Sequence, residues 1–70
     1  MLRRVDDCNG SFACMADAET GMIEHKNRGA RTTTCIPIGG EYTIEKDGTV
    51  TKLRRISIGK FEITSYKIAS

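Results

Sequence analysis

The chain reads as a mainly β protein, built as a small antiparallel curled sheet or a five-stranded partial barrel. Three observations predict it. β-Branched and aromatic residues crowd positions 41–68, from Glu41-Tyr42-Thr43-Ile44 through Leu53, Ile56, Ile58, Phe61, Ile63, Tyr66 and Ile68. An Asp47-Gly48 pair and a lone Gly59 divide that region into three strand-length runs, the punctuation of consecutive antiparallel strands. With 70 residues and no Trp, the chain has material for one thin core and one domain, residues 1–70.

The first ten residues carry no strong element signal. Met1-Leu2-Arg3-Arg4 has the basic opening of a secretory leader, but Val5-Asp6-Asp7-Cys8-Asn9-Gly10 follows where an apolar stretch is required, so a cytoplasmic protein is expected. No apolar run approaches the roughly 20 residues that span a bilayer, and no membrane partner is expected.

Residues 12–26 support two readings. As a hairpin, the segment turns at Ala18-Glu19-Thr20-Gly21, with strand-like Met22-Ile23 directly after it. As a short helix over about 12–20, Ser11 is the N-cap, Phe12, Met15 and Ala16 share a face and Gly21 is the stop. The second reading makes the protein α+β; the turn chemistry favours the first.

Asn27-Arg28-Gly29-Ala30-Arg31 is a basic loop, and Thr32-Thr33-Thr34-Cys35-Ile36 a strand. Pro37 cannot donate a ladder hydrogen bond and ends that strand or keeps it at an edge. Ile38-Gly39-Gly40 then connects to the three-strand region.

Two registers compete at Asp47-Gly48. A two-residue loop sets Glu45 opposite Val50, whereas a three-residue Lys46-Asp47-Gly48 loop pairs Ile44 with Val50. Buried faces normally dictate register, which favours the second. Val50, Leu53 and Ile56 are spaced by three, as are Ile63 and Tyr66. Bulges near Lys52 and Thr64-Ser65 would restore a common apolar face and curl the sheet.

Charge is mixed: 11 basic and 9 acidic side chains give a net +2, short of the excess of a nucleic-acid packager. No Walker, dinucleotide-binding or EF-hand pattern occurs, and no cofactor is expected. Three cysteines in a reducing compartment are free thiols by default. Cys8, Cys14, His25 and Cys35 are the ligand types of a zinc site, but five, ten and nine residues separate them. Without a Cys-x2-Cys knuckle that set ranks as a minor alternative. A Cys–His nucleophile lacks an orienting carboxylate and an oxyanion turn, so an enzyme is not expected.

What remains is binding. The leading expectation is a small inhibitor, adaptor or regulator acting by protein–protein contact, the work of many stand-alone phage or mobile-element proteins. Arg28, Arg31, Lys52, Arg54 and Arg55 are its candidate contacts, because Arg is enriched at binding hot spots. The alternative is a nucleic-acid-binding small β-barrel, with the same basic side chains on phosphates and Tyr42, Phe61 and Tyr66 stacking bases. An open sheet edge on so small a chain also leaves room for a homodimer.

Overall fold

Seven strands form two antiparallel sheets in the computed structural model, which describes residues 1–27 and 29–68. One sheet holds β1 (Arg3–Asp6), β2 (Phe12–Asp17), β3 (Met22–Asn27) and β4 (Ala30–Cys35), in that order. The other holds β5 (Glu41–Lys46), β6 (Thr49–Ser57) and β7 (Lys60–Lys67). Every pairing joins neighbours in sequence, and no barrel closes. The mainly β, antiparallel architecture is the one the sequence predicts, laid out as two sheets of four and three strands.

The hairpin reading of residues 12–26 is the one the fold adopts, and no helix occurs among the described residues. Asp17 Oδ1 accepts the Glu19 N–H at 3.0 Å, and the Gly21 N–H reaches the Asp17 carbonyl at 2.8 Å. Gly21 takes the positive φ of 82° that closes the loop. Strand pairing on both sides of β2 then buries more than a lone helical turn would, so weak alanine propensity loses to tertiary packing.

At the β5–β6 hairpin the two-residue loop prevails, correcting the expected three-residue register. Asp47 (φ 50°) and Gly48 (φ 76°) are both left-handed, and Lys46 pairs with Thr49 and Ile44 with Thr51. A turn of this handedness matches the twist of its strands. The expected bulges at Lys52 and Thr64-Ser65 are also absent: β6–β7 pairing runs evenly from Thr49↔Lys67 to Arg55↔Phe61, and shifts only between Arg55 and Ser57.

One apolar cluster joins the two sheets. Val5, Ala13, Cys14, Ala16 and Ile23 come from the first, Ile44 and Leu53 from the second, with Ile36, Tyr42 and Phe61 at its margin. Cys14, Ile23 and Leu53 are fully excluded from solvent. The inward face of β6 is mostly polar, reading Thr49, Thr51, Leu53, Arg55, and all four are buried. Thr49 Oγ1 donates to the Lys46 carbonyl at 2.6 Å, and Thr51 Oγ1 lies 3.1 Å from Ser65 Oγ. Such pairing removes the cost of burying hydroxyls.

Candidate binding surface

Arg55 is not on the surface. Its guanidinium points inward and donates to three main-chain oxygens: Ala18 (3.3 Å), Glu19 (2.7 Å) and Ile36 (3.2 Å). Its own backbone is bonded to Gly39 and Gly40. One side chain thus ties the β2–β3 loop and the β4–β5 crossing to β6. Arg55 is buried and its three bonds are made inside the fold, so its charge is not presented to a partner.

The other basic candidates are dispersed. Arg31 lies on the outer face of β4, with Nε 3.4 Å from Glu24 Oε1. Lys52 and Arg54 lie on the outer face of the other sheet, since Leu53 between them faces inward. Arg54 stands in a cross-strand row between Glu41 and Glu62, and the Lys52 ammonium sits 5.9 Å from the Tyr66 ring centroid. Signs alternate on this face and the arginines occupy opposite outer faces, so no single basic stripe forms among the described residues. Arg28 lies outside the described residues.

The zinc-ligand types are not gathered. Cys8 lies in the β1–β2 turn and Cys35 on the outer face of β4, both exposed, while Cys14 is buried on the inner face of β2. Neighbouring strand positions point to opposite faces, which separates Cys14 from Cys35. Among the described residues no three His, Cys, Asp or Glu side chains are placed to hold a metal ion. His25 instead meets Tyr42 edge-on, with ring centroids 6.3 Å apart. Burial pushes the Cys14 thiol up to about 11.

The strand β7 follows the sequence reading; what that reading missed is its open edge. β7 is an edge strand eight residues long, and its unpaired backbone groups can be identified. The Ile68 N–H donates to the Gly48 carbonyl, and Arg55 bonds toward β5 through Gly39 and Gly40. Antiparallel alternation then directs the even-numbered residues of β7 at β6, and Phe61, Ile63, Ser65 and Lys67 at the open edge. Ile63 (46%), Tyr66 (45%) and the adjoining Ile58 (74%) and Ile68 (47%) are exposed.

Beside this edge runs a cleft of about 370 Å³ between β7 and β1. Val5, Ala16, Phe61 and Ile63 supply its apolar lining, and Arg3, Arg4, Asp17 and Glu19 its polar margin. The Met1 amino group, 3.1 Å from Asp17 Oδ2, together with the Glu19 N–H holds the Asp17 carboxyl below the ordinary range, against the effect of burial. An open backbone edge beside an apolar trough is the geometry that takes up an extended chain. The surplus of isoleucine in residues 56–68 over what one thin core can bury was the available signal.

Comparison with known proteins gives no match to any family model, curated protein or solved structure.

Proposed function

We propose that the protein is a non-catalytic cytoplasmic binding protein, a small inhibitor, adaptor or regulator that acts by protein–protein contact through the β7 edge. The carrying observation is the coincidence, on one strand, of outward backbone groups at Phe61, Ile63 and Ser65 with exposed Ile63 and a cleft beside it. Main-chain hydrogen bonds from an added strand supply affinity, and the cleft selects its inward side chains. A long edge left uncovered is an aggregation hazard that natural sheets avoid or use.

Nucleophilic chemistry at Cys14 is disfavoured by its burial. A nucleophilic cysteine needs a lowered pKa, and Cys14 is shifted the opposite way. The nucleic-acid alternative wants its cations on one face, whereas Arg31 and Arg54 lie on the outer faces of different sheets.

Capture from host extract with wild-type chain and Ile63→Pro tests the reading. The Ile63 N–H points away from β6, so proline there removes no ladder bond. A protein, whether a second copy of the chain or another, held in stoichiometric amount by wild type, lost by Ile63→Pro and kept by Lys52→Ala/Arg54→Ala is the expected result. Protein binding indifferent to Ile63→Pro, or retention of nucleic acid alone, overturns it.

A further inference from the structure

We infer that the strand received by the β7 edge is β7 of a second copy, paired antiparallel about a two-fold axis at Ile63. The inference rests on the reading of β7 as a protein-binding edge and names its occupant.

Backbone geometry restricts the choice of register. Only Phe61, Ile63, Ser65 and Lys67 direct their N–H and C=O groups outward, so odd-numbered residues must face odd-numbered residues across the junction. Two registers keep most of the eight-residue strand paired. One centres on Ile63 and the other on Thr64.

Side-chain chemistry separates them. Centred on Thr64, the pairing sets Phe61 against Lys67 and Lys60 against Ile68 of the second copy. Centred on Ile63, it sets Ile63 against Ile63, Phe61 against Ser65, Glu62 against Thr64 and Lys60 against the Tyr66 ring. It also brings Ile68 of each copy toward Ile58 of the other, joining the two most exposed apolar positions next to β7. No like charges stand opposite in this arrangement, and isoleucine meets isoleucine on the axis and at both ends. Moving the centre to Glu62 would oppose two carboxylates on the axis.

The product is isologous and closed: one six-stranded sheet, ordered β5-β6-β7 and then β7-β6-β5 of the second copy. Both open β7 edges vanish, and Ile63 of each chain, which lines the cleft of its own copy, is covered by the other.

Cross-linking and mass together test it. In a Cys8→Ser/Cys35→Ser background, Ile63→Cys places two thiols across the axis on hydrogen-bonded partners about 5.5 Å apart at Cα, within disulfide range. Mild oxidation is expected to convert Ile63→Cys to a covalent dimer and to leave Thr64→Cys a single chain. Sedimentation equilibrium of the wild type is expected to show twice the chain mass, with Ile63→Lys reduced to one chain and an unchanged circular dichroism spectrum. A single-chain mass for the wild type at every concentration overturns the inference, as does a dimer cross-linked through Thr64→Cys and not Ile63→Cys. A monomer that still loses a host protein on Ile63→Pro would remove the second copy as occupant and leave the β7 edge as the binding site. A monomer with no edge-dependent partner would remove both.

Discussion

Arg55 and Glu19 are joined by a 2.7 Å hydrogen bond from guanidinium Nη2 to a main-chain oxygen, across the interface between the two sheets. No carboxylate lies within ion-pairing distance of that guanidinium among the described residues. Its charge is met by carbonyl dipoles alone, which makes Arg55 a fastener between loops and not a member of a salt bridge.

Arg55→Met is expected to lower unfolding free energy by about 3 kcal/mol, because three carbonyls lose a charged donor in a buried setting. Arg55→Lys keeps the charge but cannot span three acceptors with one ammonium, and recovers less than half of that loss. Urea denaturation followed by circular dichroism measures both. Equal stability of the wild type and Arg55→Met would show that the three bonds contribute nothing net.

Gly21 and Gly48 separate two costs of a side chain. Both have positive φ, but an added Cβ at Gly48 meets nothing within 4 Å, whereas at Gly21 it runs into the Ile36 carbonyl oxygen and the Arg55 side chain. Gly48→Ala is expected to cost about 1–2 kcal/mol, the left-handed penalty alone. Gly21→Ala must add displacement of backbone in the crossing, so its thermal midpoint falls well below that of Gly48→Ala. Matching melting curves for the two variants would contradict this ordering.

Cys14 makes stability depend on alkaline pH. Its thiol is raised from 9.0 to about 11 by burial, so between those values the unfolded chain has released a proton that the native chain retains. The Cys14 contribution is therefore complete below pH 9 and disappears as pH rises through about 11, at about 1.4 kcal/mol per pH unit within the window. Cys14→Ala should flatten that part of the pH–stability curve. At pH 8, a thiol reagent should label the exposed Cys8 and Cys35 and reach Cys14 only on unfolding.

Much of the architecture could be read in advance where turn chemistry is explicit. The Ala18–Gly21 loop, the strand ended by Pro37 and the breaks at Asp47-Gly48 and Gly59 are all used as turns or strand ends. The strand β1 was illegible because Val5 is its sole buried residue among charged neighbours. Register at Asp47-Gly48 was misjudged for a related reason. The inward face of β6 carries Thr49, Thr51 and Arg55 beside Leu53, so apolar spacing marks the wrong phase, and the handedness of the turn decides instead.

The binding candidates illustrate the same limit. Arg54 and Arg55 are adjacent in sequence but face opposite ways across the sheet, one to solvent and the other into the loop junction. Composition identified them as a pair; strand alternation gives them different roles. The β7 edge was hidden because exposed Ile63 and Tyr66 are indistinguishable by residue type from core.

Among the described residues, the crossing at residues 36–40 is the only stretch of chain between the two sheets. Each half is a meander of sequence-local hairpins, so the entropy of closing loops is small in both, and either can zip from its own turns. What holds the two meanders to each other is then the apolar cluster they share and the guanidinium of Arg55, which bonds both loops beside the crossing.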